Sequence, residues 1–167
     1  MPFHADEVKG SLGGRFARVL EAVPDRIALR WGKGALRYAE LDRASAAVAA
    51  TLLDRLGPEP EPVALYMRQG ADAVAAVLGS VRAGKTYVPL DPGFPAKRTA
   101  RILQQALPSL VLTHADLEET ARDAVGAVSP VIVAPGAFEA SRGEPVSLPS
   151  DGAGPDTLGR TDESNLR

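Results

Sequence analysis

Three prolines, Pro89, Pro92 and Pro95, stand just behind the stretch Gly79-Ser80-Val81-Arg82-Ala83-Gly84-Lys85-Thr86. Each proline lacks the N–H of a helical bond and clashes with the turn before it, so no helix begins at Lys85 and continues through them. That matters because the eight residues match the phosphate-loop pattern of Gly, four residues, Gly, Lys and Thr. A working phosphate loop leaves a strand and opens a helix, whose first N–H groups and positive dipole end converge on the anion. Here the context is reversed. "ADAVAAVLGSVRA" carries helical spacing ahead of the pattern, and "TYVPL", β-branched and aromatic, reads as a strand behind it. The glycines therefore read as structural: Gly79 for close helix packing and Gly84 as a helix cap.

The same alternation runs along most of the chain. Phe16, Val19, Leu20 and Val23 predict a short amphipathic helix over 14–23, ended by Pro24. "RIALRW" and "ALRY" flank Gly32-Lys33-Gly34 as a small hairpin. Leu41, Val48, Leu52 and Leu56 share a helical face that begins near Ala39 and closes at Gly57-Pro58. "VALYM" reads as a buried strand, and Val74, Val77, Leu78 and Val81 as the stripe of the next helix, with Asp72 near its start. A helix opened by Pro95 and stopped by Pro108 follows, then "SLVLT" as strand, "ADLEETARDAV" as helix and "PVIVA" as strand. Strands separated by helices require right-handed crossovers and a mainly parallel, helix-covered sheet. The fold class is α/β.

Composition removes several function classes. The chain has 167 residues, a formal charge of −2 and scattered basic residues, so nothing forms an electrostatic footprint for nucleic acid. No apolar run approaches membrane-spanning length, and the first residues lack a secretory pattern, so a cytoplasmic setting without membrane contact is expected. With no cysteine, disulfides and thiolate chemistry are excluded, and His4 and His114 are too few for a histidine metal site. His4 lies in the N-terminal segment, and His114 reads as a strand-end residue rather than a base. From Gly136 the sequence turns rich in Gly, Pro, Ser and Asp.

"VRAGKTYVPLDPGFP" resembles the second core motif of nonribosomal peptide synthetase adenylation domains, members of the adenylate-forming, AMP-binding superfamily. Arg82, Ala83, Gly84, Tyr87, Val88, Pro89, Leu90, Asp91 and Pro92 match, while Val81 and Thr86 stand where Leu and Ala are usual. "LRYAEL" is similar to the first core motif, with Arg37 in place of the usual Thr or Ser. The resemblance runs from about Gly14 to Thr113, and "TDESNLR" resembles the segment just upstream of the family's own phosphate loop. It implies part of the large N-terminal domain of an adenylate-forming enzyme, truncated before that loop. The expected organisation is a flexible N-terminus over 1–13, a partial adenylation domain over 14–135, and a loop or disordered tail over 136–167.

In such enzymes a carboxylate attacks the α-phosphate of ATP, with Mg²⁺, and the acyl group then passes to a carrier-protein pantetheine thiol. The resemblance implies that the catalytic groups lie beyond Arg167, that this chain holds no cofactor, catalytic or metal residue of its own, and that it is inactive alone. Its partners would be the remaining adenylation segments and a carrier protein. Lys9, Lys33 and Lys97 have no glycine-rich neighbourhood to aim them at phosphate. Tyr38 and Tyr87 read as packing residues, Glu40 as a first-turn helix acid, and Trp31 with its hairpin as a sheet cap. Asp91, Gly93 and Phe94 follow a strand, where α/β proteins place binding loops; they read first as a structural turn, and as a contact loop second, because in relatives the equivalent loop lies near the pantetheine path. Two further readings stand beside this one: a non-catalytic interaction module and, less favoured, an independent phosphate-loop NTPase. A scaffold lacking its companion segments is also expected to expose apolar sheet surface.

Overall fold

The computed structural model of the protein describes residues 10–31, 34–126 and 129–134. His4, Lys9, the Gly32-Lys33 turn and the 136–167 tail lie outside the described residues. Helix α1 (Leu12–Ala22) begins two residues ahead of the predicted start, where the Ser11 hydroxyl accepts the Gly14 N–H at 3.1 Å. Strands β1 (Ile27–Trp31) and β2 (Gly34–Arg37) pair antiparallel, with Trp31 opposite Gly34. A Cβ at Gly34 would come within 2.6 Å of the Trp31 indole, so glycine there lets the ring lie on the strand. Helix α2 (Tyr38–Leu56) follows at once, and the Glu40 carboxylate accepts the Arg37 N–H at 2.7 Å. Glu40 is thus a helix-start cap. Tyr38 packs its ring 6.0 Å from that of Phe16.

The remaining elements are β3 (Pro62–Tyr66), α3 (Ala71–Arg82), β4 (Thr86–Leu90), α4 (Ala96–Ala106), β5 (Leu110–Thr113), α5 (Glu118–Val125) and β6 (Val131–Val133). The strands form one parallel sheet in the order β4-β3-β5-β6. Side chains alternate across it as the pleat requires. Val63, Leu65, Leu110 and Leu112 meet Val48 and Leu52 of α2 and Ala76 of α3 on one face. Ala64, Tyr66, Val111 and Val131 meet Leu103 of α4 and Ala121 and Val125 of α5 on the other. The α/β architecture with its antiparallel hairpin is as the sequence predicts. Among the described residues no helix is long and apolar enough to cross a membrane.

Two features differ from the sequence reading. The most buried face of α3 is not the valine stripe but Ala71, Ala75, Ala76, Leu78, Gly79 and Ser80; Val74, Val77 and Val81 are only partly covered. The reason is backbone approach. A Cβ on Gly79 would lie 2.6 Å from Val48 and 2.8 Å from the Ser45 carbonyl, so only small residues fit the α2–α3 seam. Arg82 ties the seam's end, donating to the Asp42 carboxylate and to the Ser45 hydroxyl at 3.0 Å. Second, the sheet does not present bare faces. Helices cover both, and exposure concentrates on the edge strand β4, where Thr86, Tyr87 and Pro89 are exposed.

Leu107 closes α4 in the left-handed region (φ 44°) and is 68% exposed. Its N–H still reaches the Leu103 carbonyl at 2.9 Å before Pro108 ends the helix. Leu107→Gly relieves a left-handed strain of about 1–2 kcal/mol, partly offset by the unfolded-chain entropy of glycine, and is expected to stabilise by about 0.5–1 kcal/mol. Gly79→Ala has no room for its methyl and is expected to cost about 1–3 kcal/mol. Urea unfolding followed by the fluorescence of Trp31, the single tryptophan, measures both.

Candidate functional site

The phosphate-loop pattern folds as the end of a helix and the start of a strand. Ala83 caps α3, and Gly84 takes φ 69°, a conformation that glycine adopts without strain. The Gly84 N–H donates to the Val81 carbonyl at 3.1 Å and the Lys85 N–H to the Ser80 carbonyl at 2.9 Å. This doubly bonded glycine cap turns the chain out of the helix. These two amides, among those a phosphate loop would aim at its ligand, are thereby consumed. The Thr86 N–H donates to the Glu61 carbonyl at 3.2 Å, continuing into β4.

Lys85 is the decisive side chain. It is 4% exposed, and its Nζ donates to the Gly57 carbonyl at 2.7 Å and to the Glu59 carbonyl. Gly57 caps α2, so the ammonium sits where that helix turns its negative dipole end outward. A lysine held this way cannot follow a triphosphate, and the reading as an independent phosphate-loop NTPase fails on this geometry. Pro89 fits because β4 is an edge strand, where one missing N–H costs little.

The opposite edge of the sheet, at the strand C-termini, gathers the exposed polar chemistry. The chain leaves β3 toward β4 on one side and leaves β5 toward β6 on the other, so strand order reverses between β3 and β5. Crevices at such reversals are the usual ligand sites of open α/β sheets. Here two pairs bridge the β3 and β5 ends. Arg68 meets Asp116 at 2.6 Å, and His114 Nδ1 lies 3.5 Å from Asp72 Oδ2. The Arg68 guanidinium holds the Asp116 carboxyl below its ordinary range. His114 follows β5 as a strand-end residue, as the sequence predicts.

Asp91, Gly93 and Phe94 come together in one ordered turn after β4. Asp91 Oδ1 accepts the Gly93 N–H at 2.8 Å, and the Asp91 carbonyl accepts the Phe94 N–H at 3.0 Å. The Arg98 guanidinium lies 4.1 Å from the centre of the Phe94 ring. Tyr87, expected to pack, is 38% exposed on the edge strand. Tyr66, at the end of β3, is only 3% exposed. Burial pushes its phenol pKa up, the Arg68 charge opposes this, and the Asp91 charge adds to it. The phenol is therefore a proton donor at neutral pH. Sequence reasoning passed over Tyr66, Arg68, Asp72 and Asp116 as site residues. Their signal was position, each within a few residues of the C-terminal end of β3 or β5.

Lys85 is committed to carbonyls, and no group of three or more His, Asp or Glu that would hold a metal occurs among the described residues.

The sequence profile described as AMP-binding enzyme matches residues 16–158. Similar curated proteins include AMB antimetabolite synthetase AmbB of Pseudomonas aeruginosa, 39% identical over 112 residues, which cover 66% of this chain and 9% of that protein. Surfactin synthase subunit 3 of Bacillus subtilis is 32% identical over 73% of this chain and 10% of its own length. Among solved structures, the nonribosomal peptide synthetase FmoA3 in an AMPPNP-bound form aligns with a TM-score of 0.68 and 31% identity, covering 80% of this chain and 14% of that one. A four-domain nonribosomal peptide synthetase, holo-AB3403 bound to AMP and glycine, aligns at 0.68 and 29%, covering 83% of this chain and 10% of that one. The chain thus spans a tenth or less of these curated relatives.

The Lys85 contact makes a testable demand. Lys85→Met keeps the length of the side chain but loses two hydrogen bonds from a charged donor, so it is expected to destabilise by about 2–4 kcal/mol. It is expected to change no nucleotide binding. Equilibrium unfolding and calorimetric titration with ATP check the two halves; ATP binding by the parent chain that disappears in a folded Lys85→Met variant would contradict the structural role.

Proposed function

Because the chain belongs to the AMP-binding enzyme family, we propose that its 167 residues are the N-terminal part of an amino-acid-activating adenylation domain of a nonribosomal peptide synthetase. The whole enzyme would join a carboxylate to ATP, giving an acyl-adenylate and pyrophosphate, and pass the acyl group to a carrier-protein pantetheine thiol. In this reading ATP, Mg²⁺, the carrier protein and the remaining adenylation segments belong to the longer protein, and the described portion is its scaffold. A cytoplasmic setting goes with it, in keeping with a chain that has no cysteine.

The single observation that carries the scaffold assignment is the seat of Lys85 on the Gly57 and Glu59 carbonyls. It makes the second core motif a helix-to-strand joint rather than a catalytic loop. Adenylation needs positioned cations and N–H donors aimed at the transferring phosphoryl group, and the lysine in this motif is already spent. The turn of Asp91, Gly93 and Phe94 is the part of the chain proposed to border the pantetheine path. Its place at the strand C-termini and its ordered hydrogen bonds support that reading.

Amino acid-dependent ATP–pyrophosphate exchange tests the proposal. The 167-residue chain alone is expected to give none with any of the common amino acids, and the longer protein containing it is expected to respond to one or a few. Exchange by the 167-residue chain alone would refute the scaffold assignment, and a longer protein silent toward every amino acid would refute the amino-acid reading.

A further inference from the structure

Among the described residues the parallel sheet has two edges, β4 on one side and β6 on the other. An edge strand leaves N–H and C=O groups open to a strand of another molecule, and folded chains blunt such edges. β6 is blunted by its length: it has three residues, Val131–Val133, directly behind Pro130. β4 has five, Thr86–Leu90, and runs beside β3 without a bulge, from Pro62 opposite Thr86 to Tyr66 opposite Leu90. Its sequence, Thr-Tyr-Val-Pro-Leu, contains no charge. The adjoining cation, Lys85, is turned inward onto the Gly57 and Glu59 carbonyls. Thr86, Tyr87 and Pro89 are exposed, so no described helix or loop covers them. Shortness, a bulge, a charge and a cover are all missing from this edge, and proline is the defence that remains.

The ladder shows which backbone groups are left open. The Thr86 N–H donates to the Glu61 carbonyl, and the Leu90 carbonyl accepts the Met67 N–H, each at 3.2 Å. Residues that bond one neighbour alternate along a strand with residues whose N–H and C=O turn away from it. Thr86, Val88 and Leu90 therefore face β3, while Tyr87 and Pro89 direct their backbone groups outward. At Val88 a proline would break the internal ladder. At position 89 it costs the sheet no bond, offers a carbonyl without an N–H, and sets its ring where the carbonyl of an incoming strand would lie.

We propose that Pro89 keeps β4 from pairing with the β4 strand of a second copy of this chain. In an antiparallel pair about a two-fold axis beside Val88, Tyr87 of each copy would stand opposite residue 89 of the other. Two residues placed so normally exchange both of their N–H···O bonds. Proline removes one bond from each such pair and holds the strands apart. A second copy is the occupant to guard against, because an identical uncharged strand meets no charge repulsion and matches β4 in length.

The test follows the Tyr87 amide by hydrogen exchange over a concentration series of the 167-residue chain, with sedimentation velocity alongside. In the parent the exchange rate of this amide is expected to be the same at every concentration. Pro89→Val and Pro89→Ser both restore the N–H, one with an apolar and one with a polar side chain. In both, the Tyr87 amide is expected to slow as concentration rises, and self-association to tighten about tenfold or more, the value of the restored hydrogen bonds. Adding Tyr87→Lys to Pro89→Val places a charge on the edge and is expected to return the chain to the parent's behaviour. Concentration-dependent slowing of the Tyr87 amide in the parent overturns the proposal, as does its absence from both variants. Association of Pro89→Val alone assigns the effect to apolar surface instead of the missing N–H and also overturns it. A lowered thermal midpoint in both variants, without a folded dimer, makes Pro89 a residue of strand stability and overturns it as well.

Discussion

A lysine ammonium removed from water must find oxygen, and Lys85 finds it on two backbone carbonyls just beyond helix α2. That requirement joins two connections distant in sequence, the α2–β3 turn and the α3–β4 joint. The joint works only because Gly84 can take a left-handed backbone and redirect the chain out of α3. Once turned, β4 lies parallel to β3 in register from Pro62 opposite Thr86 to Tyr66 opposite Leu90. The packing of α2 on α3 supplies the second constraint on the same corner, since Gly79 brings their backbones too close for a Cβ. Lysine, cap glycine and seam glycine are therefore one device. The residues that imitate a phosphate loop are those needed to end one helix against another and begin a strand.

Much of this was legible in the chain. Three prolines ruled out a helix after Lys85, and short apolar runs separated by helical spacing gave the parallel sheet. The roles of Gly79 and Gly84 followed from context alone. The face of α3 did not. A search for large apolar residues every three or four positions selects the valines, whereas close packing selects Ala71, Ala75 and Gly79, whose smallness carries no hydrophobic signal. The burial of Lys85 was equally hidden. Nothing local distinguishes a lysine whose oxygen partners lie 26 and 28 positions earlier from one that faces solvent.

The rim at the strand C-termini was half legible for a related reason. Asp91, Gly93 and Phe94 form a local turn, and local hydrogen bonds can be inferred from adjacent residue types. The pairs Arg68–Asp116 and His114–Asp72 require knowing that β3 and β5 are neighbours although β4 comes between them in sequence. Strand order is a property of crossovers, and a single chain read in one dimension does not state it. Tyr66 shows the same gap at one residue. In "VALYM" it looks like another core aromatic, and only the register places it at the end of the sheet.

The two ends of the sheet differ in how their polar groups are satisfied. At the strand N-termini polar groups are turned inward and satisfied: Lys85 on its carbonyls, the Ser109 N–H on the Pro62 carbonyl at 2.9 Å, and the Ser129 hydroxyl on the Pro108 carbonyl at 2.5 Å. At the C-termini Arg68 and Asp116 are exposed and pair across loops, where solvent keeps the pair weak, while His114 and Asp72 meet partly covered. A change at the first end removes hydrogen bonds from part-buried or buried groups and threatens the fold. A change at the exposed Arg68–Asp116 pair alters a surface contact that contributes little to stability. One end of the sheet is thus fixed by enclosed hydrogen bonds, while the other can rearrange its side chains at little cost to the fold.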